Sequence, residues 1–150
     1  MSFEKKYKDL VNLYNRGLYN EIIIQIDNLE NKKNFSPELK NFKGLAYLAL
    51  EDFKQATFFF KEATNQDDKF FKAFNNYGIS LFYEAKYDES IEKFNKSIEI
   101  NPDYAEAYNN KGNLFDHTGK VDEAIKCFKI SLNLKPDYFE AEENLIKILT

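Results

Sequence analysis

Few side chains in this sequence of 150 residues could perform covalent chemistry, and their spacing does not bring them together. His117 is the only histidine and Cys127 the only cysteine. A nucleophilic pair needs direct contact and a third group that orients the base. Asp116 adjoins His117, but neighbouring residues of a helix point about 100° apart. The five glycines never cluster into a phosphate-binding loop. We therefore expect no enzyme activity, no metal site and no cofactor.

Asparagine side chains recur at a fixed interval and offer a different kind of chemistry. Asn76, Asn110 and Asn144 are equally spaced along the chain. An asparagine amide has both donors and an acceptor, so it can hydrogen-bond a peptide backbone whatever the sequence of that peptide. The question is which elements would place these amides in one row.

The same interval runs through most of the chain. A fixed period of this length is typical of stacked helical repeats. Each period contains two amphipathic stretches at helical spacing with a short polar break between them. In one break, Gly119 can adopt the left-handed conformation that ends a helix. The recurring positions form a glycine column, a small-residue column and a ring column: Gly44, Gly78, Gly112; Ala56, Ser90, Ala124; and Phe60, Phe94, Phe128.

The glycine and small-residue columns predict how the two helices of a repeat pack. Antiparallel helices approach closely only where their side chains are small, so we expect each glycine to face the small residue of its own unit. The large rings of the third column then fill the wider space beside that contact.

The period predicts the boundaries of the units. Three regular units span 37–70, 71–104 and 105–138, and Ser36 with Pro37 is a typical helix start. The stretch 3–36 is predicted to be a degenerate terminal repeat, because Leu10 and Ile22 replace the small residues and should hold its helices further apart. Residues 139–150 are predicted to form one closing helix that packs through apolar side chains, Ala141, Leu145 and Leu149.

The residues of the last two units resemble the tetratricopeptide repeat. The resemblance is carried by the stretches 107–113 and 119–125 and by Pro136, although Phe74 and Tyr108 stand where the family often has tryptophan and Lys40 is not aromatic. It implies an all-α fold, a right-handed superhelical solenoid of helix-turn-helix repeats with a C-terminal capping helix. We expect the whole chain, 1–150, to be a single domain of this kind.

In this family the first helices of the repeats line a concave groove that binds peptides. Carrying that geometry over implies two interpretations of the asparagine column. Either it forms a ladder along the groove floor, or asparagine is simply common at this position in the family. The residues implied to bind a partner are Asn41, Phe42, Lys72, Asn75, Asn76, Ile79, Phe82, Tyr83, Asn109, Asn110, Asn113, His117 and Asn144.

The charge of the chain limits the partner. A net charge of −4 argues against nucleic acid, which needs a basic surface. Some co-chaperone members of the family clamp an acidic C-terminal carboxylate with lysine, asparagine and arginine, but only fragments of that clamp are present here. Glu106 and Glu140 in the implied groove would repel an acidic tail, so we expect a neutral or basic peptide or protein.

Other features of the sequence concern the cellular compartment of the protein. No apolar run is long enough for membrane insertion, and no signal peptide is evident. A single cysteine fits a reducing compartment, so we expect a cytoplasmic protein. The leading hypothesis is a non-catalytic adaptor or scaffold. There are two alternatives. One is a self-assembling scaffold that forms a homo-oligomer through its terminal helices, and the other is the N-terminal repeat region of a longer enzyme such as a glycosyl- or sulfotransferase.

Overall fold

A computed structural model of the chain describes residues 3–30 and 35–150. The described residues form nine α-helices and no strands, which confirms the predicted all-α helical repeat. They fall into two compact units, Met1–Asp68 and Lys69–Thr150. The helices are α1 Phe3–Asn15, α2 Tyr19–Glu30, α3 Pro37–Ala49, α4 Phe53–Gln66, α5 Phe71–Tyr83, α6 Tyr87–Ile100, α7 Ala105–His117, α8 Val121–Leu134 and α9 Phe139–Leu149.

The helices pair within each unit as the period predicts. In the first unit α1 packs on α2, α2 on α3, and α3 on α4. In the second unit α5 pairs with α6 and α7 with α8, while the first helices α5, α7 and α9 also contact one another in that order. The second unit therefore brings successive first helices side by side. The single domain over 1–150 stays a prediction.

The glycine column marks the closest approach within each regular pair. A methyl group added to Gly78 would lie 2.6 Å from the Cε1 atom of Phe94, far inside normal contact distance. Gly44 and Gly112 have the same relation to their own rings. The Ser90 hydroxyl also donates a 2.7 Å hydrogen bond to the carbonyl of Gly78. The small residue thus faces the glycine backbone, while the ring covers the position of the missing side chain.

The turns between paired helices share one backbone conformation at another column of the period. Gly17 and Gly119 have φ angles of 72° and 77°, as predicted for Gly119. Glu51 and Ala85 stand at the equivalent positions and have φ angles of 61° and 59°. L-residues with side chains adopt this left-handed region at a cost, so the repeat geometry imposes it on the two non-glycine residues.

The predicted start of α3 is confirmed. The Ser36 hydroxyl accepts a 3.4 Å hydrogen bond from the backbone N–H of Leu39, and Pro37 occupies the first turn. This cap satisfies a donor that has no partner inside the helix.

The first repeat is built differently from the others. Leu10 and Ile22 are fully buried, although the period has small residues at their positions elsewhere. They belong to one apolar cluster with Ile26, Leu39 and Phe42. Of the paired helices, α1 and α2 are the more loosely packed, as expected from two bulky side chains between them.

Helix α9 has one packed face and one exposed face. Ala141 is buried against the neighbouring helices α7 and α8. The prediction that Leu149 packs on the last repeat is wrong, because this side chain is 62% exposed. It lies in the final turn of α9, on the exposed side with Phe139 and Ile146.

Candidate functional site

The predicted binding residues are divided between the two units. Asn41 and Phe42 lie on α3 in the first unit, and both are buried. The ring of Phe42 contacts those of Tyr7 and Tyr14, with centroid separations of 5.2 and 6.3 Å. This placement gives Phe42 a role in the core of the first unit, and its role in binding stays a prediction.

In the second unit the asparagine columns hydrogen-bond to each other across successive first helices. The Asn110 Nδ2 group donates to Asn75 Oδ1 over 3.0 Å. Asn144 Nδ2 donates to Asn109 Oδ1 in the same way, over 3.1 Å. The two acceptor residues are buried, whereas the two donor residues are half-buried. The asparagine column therefore links neighbouring repeats as well as facing outward.

A cavity of about 400 Å³ lies beside these asparagines. It is bounded by α5, α7 and the start of α9, together with one ring of α6. Its lining combines aromatic rings, amides and two carboxylates, which suits a ligand that is both polar and extended. The lining residues are Asn75, Ile79, Phe82, Tyr83, Phe94, Tyr104, Glu106, Asn110, Asn113, Tyr138 and Glu140.

Two tyrosine–glutamate pairs line this cavity, and they are separated by one repeat along the chain. Tyr104 immediately precedes α7 and Glu106 lies in its first turn, and Tyr138 and Glu140 have the same positions at α9. Burial, with a further contribution from Glu106, raises the pKa of Tyr104 to about 12. Burial and then Glu140 raise the pKa of Tyr138 still further. Burial is the larger cause at both hydroxyls, and the nearby carboxylates add to it because negative charge opposes ionisation of a tyrosine.

Glu140 is oriented by neighbouring polar groups. Its Oε1 atom accepts a 3.0 Å hydrogen bond from Asn109 Nδ2, and its Oε2 atom accepts one of 3.4 Å from the Tyr138 hydroxyl. Asn109 is completely buried and also accepts from Asn144. The carboxylate of Glu140 is thereby held at the cavity by a network that extends across two repeats.

Aromatic side chains form one edge of the cavity. The ring of Phe82 contacts those of Tyr83 and His117, with centroid separations of 5.4 and 5.1 Å. His117 Nε2 and the Tyr87 hydroxyl share a hydrogen bond of 2.9 Å. His117 therefore contacts a ring of the cavity edge, although it does not itself line the cavity.

His117 and Cys127, which were considered first for covalent chemistry, do not line the cavity. Cys127 is buried in α8, and burial raises the pKa of its thiol, which disfavours the reactive thiolate. Within 3–30 and 35–150, no group of three or more His, Cys, Asp or Glu side chains could hold a metal ion. In the same ranges no helix is long and apolar enough to cross a bilayer.

Models of one family match the chain in three places. A "Tetratricopeptide repeat" model matches residues 37–70, a second one matches 105–138, and a "TPR repeat" model matches 78–116. The matches over 37–70 and 105–138 span the helix pairs α3–α4 and α7–α8, and the match over 78–116 runs from within α5 through α6 into α7. The chain is a tetratricopeptide repeat protein.

Solved tetratricopeptide repeat structures have the same fold. MamA is 21% identical with a TM-score of 0.79, and the match covers 99% of this chain and 83% of MamA. YrrB, "a TPR protein with an unusual peptide-binding site", is 20% identical with a TM-score of 0.79, covering 91% and 71%. The first repeat domain of Spaghetti (RPAP3), bound to the HSP90 peptide SRMEEVD, is 24% identical with a TM-score of 0.72, covering 76% and 90%. No curated protein matches the sequence.

Within this tetratricopeptide fold, the second unit holds the remaining predicted residues. Those that line the cavity are Asn75, Ile79, Phe82, Tyr83, Asn110 and Asn113. Asn76 and Asn144 are half-buried at the equivalent position of their own helices, and Lys72 is exposed on α5. We refer to the surface formed by Asn76, Asn110, Asn113 and Asn144 as the amide face.

Sequence reasoning did not single out Tyr104 and Tyr138 as site residues. The sequence does contain a pattern that could have identified them. A glutamate stands two residues after each tyrosine, and the two tyrosine–glutamate pairs are separated by one full period. Such a motif looks like an ordinary helix start, where glutamate favours the positive end of the helix dipole. Only the packing of α7 against α9 shows that both pairs face one cavity.

Proposed function

We propose that the chain is a non-catalytic scaffold that binds an extended peptide along α5, α7 and α9 of its second unit. The observation that carries this proposal is the amide face beside the cavity. Asn110 and Asn144 each use one N–H of the amide for the neighbouring repeat. An asparagine amide has a second N–H and two lone pairs on its oxygen, which suit a peptide backbone.

Relatives of the same fold support binding of a peptide as a general function. The Spaghetti (RPAP3) domains bind HSP90 and HSP70 peptides, and YrrB has a peptide-binding site. The HSP90 peptide SRMEEVD and the HSP70 peptide SGPTIEEVD both have acidic C-terminal ends. Glu106 and Glu140 disfavour such a tail in this chain, so its ligand is a neutral or basic peptide or protein segment.

The proposed role is that of a cytoplasmic adaptor. The free and buried Cys127 fits a reducing compartment. Its raised thiol pKa and the ring contacts of His117 fit a chain without a nucleophilic centre. The alternative of a repeat region within a longer glycosyl- or sulfotransferase is decided by the coding sequence after codon 150.

The test uses peptides selected from a displayed library of random linear sequences on the full chain. Fluorescence anisotropy then measures their affinity for the Asn76→Ala/Asn110→Ala variant. Loss of hydrogen bonds to the peptide backbone should weaken binding by about tenfold. The matched control is Asn133→Ala, an exposed asparagine on the second helix α8, which should leave affinity unchanged.

Stability has to be followed in the same experiment. Asn110→Ala leaves the buried Asn75 carbonyl without its donor, which costs about 1–3 kcal/mol. Circular dichroism at the binding temperature must therefore show that the variant is folded. Equal affinity of the folded double variant and the parent would overturn the role of the amide face.

Self-assembly is the second candidate function. Phe139 and Ile146 on the outer face of α9 are 79% and 57% exposed, which leaves an apolar surface on this helix. Molar mass measured over a concentration series separates the two functions, because a constant monomer mass is incompatible with assembly.

A further inference from the structure

The cavity in the second unit has the chemistry of a site for a cation. We propose that it binds the side chain of an arginine or lysine from the peptide, between the pair Tyr104–Glu106 and the pair Tyr138–Glu140. This rests on the proposed function and specifies its ligand. The cavity, about 400 Å³, is large enough for such a side chain, and its described lining has two carboxylates but no lysine or arginine.

One of the protein's own cations already lies beside this cavity. The Lys135 ammonium lies 3.4 Å from Glu106 Oε1 and 4.7 Å from the centroid of the Tyr138 ring. A carboxylate oxygen and an aromatic face are the two partners that a desolvated cation prefers. Lys135 is not among the lining residues, and it uses a single oxygen of Glu106. The second carboxylate, Glu140, faces the cavity.

The arrangement favours a long cationic side chain over a neutral one. Glu140 is fixed by Asn109 and Tyr138, so little side-chain entropy is lost when it pairs with a guanidinium. The aromatic side chains of Tyr104 and Tyr138 line the cavity beside the carboxylates, and this combination suits arginine in particular. A neutral side chain of the same shape would be buried beside two carboxylates and would neutralise neither of them.

The probe for this site is Nα-acetyl-arginine methylamide, titrated into the full chain labelled with ¹⁵N. Its matched control is the citrulline analogue, which has the same shape and no charge. We expect saturable shifts of the backbone amide signals of Glu106, Asn110 and Glu140, with citrulline at least about tenfold weaker. Equal binding of citrulline, shifts centred elsewhere or no saturable shift with arginine would each overturn the proposal.

Variants separate the cavity from the overall charge of the chain. Glu140→Gln should weaken arginine binding about tenfold, while its amide oxygen can still accept from Asn109. Glu142→Gln removes the same charge from a nearby exposed position on α9 and should change affinity less than about twofold. Lys135→Gln removes the competing cation and should tighten binding. Equal losses in the Glu140 and Glu142 variants, or weaker binding in the Lys135 variant, would overturn the assignment.

This outcome and that of the peptide test are distinguishable. If selected peptides need the amide face but arginine does not bind the cavity, the scaffold function holds and the cation site is wrong. If arginine binds the cavity but the asparagine variant keeps full peptide affinity, the cation site holds without the amide face.

Discussion

The first repeat and the third repeat fill the space between their helices in different ways. In α5–α6 the second helix supplies the volume, because the ring of Phe94 covers Gly78 on the first helix. In α1–α2 both helices contribute, because Leu10 stands in the glycine column and Ile26, which is smaller than phenylalanine, stands in the ring column. Both arrangements bury their large residue almost completely. Leu10 and Ile26 together are bulkier than Gly78 and Phe94, which agrees with the looser packing of α1 on α2, so the period preserves a filled contact and not a fixed pair of residues.

The largest effect on stability is expected from removal of the Phe94 ring. Phe94→Ala should lower the free energy of unfolding by about 3–5 kcal/mol, because it leaves a cavity against a glycine that has no side chain to fill it. Ile26→Ala should cost less, since Leu10 remains beside it. Urea denaturation measures both, and Phe58→Ala, at a 54% exposed ring, is the control for loss of a phenylalanine. A smaller loss for Phe94 than for Ile26 would contradict the comparison.

The second test converts the third repeat to the pattern of the first. Gly78→Leu alone should lower the free energy of unfolding by about 1–3 kcal/mol through overpacking against Phe94. Adding Phe94→Ile should recover part of that loss, so the double-mutant cycle should show a coupling of about 0.5–3 kcal/mol. Additive effects of the two substitutions would mean that a smaller side chain at position 94 does not compensate for a larger one at position 78.

The smallest effect concerns the left-handed turn column. Ala85→Gly should raise the free energy of unfolding by about 0.5–1 kcal/mol, because glycine adopts this φ angle without the steric cost that alanine has. Gly119→Ala is the reciprocal change and should lower it by about 1 kcal/mol. No atom lies within 4 Å of the added methyl group at Gly119, so the comparison isolates the backbone. Thermal unfolding measures both, and shifts of the same sign would be inconsistent with a shared conformation.

The sequence was sufficient for the fold because the repeat is a local pattern. The glycine, ring and turn columns depend on contacts within one helix pair, and these contacts lie a fixed distance along the chain. Gly119 and Ser90 were predicted in their roles on this basis, and Ser36 was predicted from the Ser-Pro pattern of a helix start. The exposed position of Leu149 was missed, because the apolar spacing of α9 does not tell which of its residues a neighbouring helix covers.

The site was only partly predictable because it depends on contacts between repeats. The bond from Asn110 joins it to Asn75, which is 35 residues away and therefore in a different column. A search for identical positions at one period finds the column of Asn76, Asn110 and Asn144 but not this pairing. In the same way, Glu106 and Glu140 were recognised as acids of the binding surface, whereas their position around one cavity depends on how α7 meets α9.

The cross-repeat asparagine bond also has a consequence for how such a chain can grow. Each link takes its acceptor from one repeat, as at Asn75, and its donor from the next, as at Asn110. A tandem duplication of residues 71–104 would bring a new Asn76 to bond the old Asn75 and a new Asn75 to accept from Asn110. Every copy thus contains both halves of the connection. Elongation by whole units therefore needs no compensating substitution at this contact.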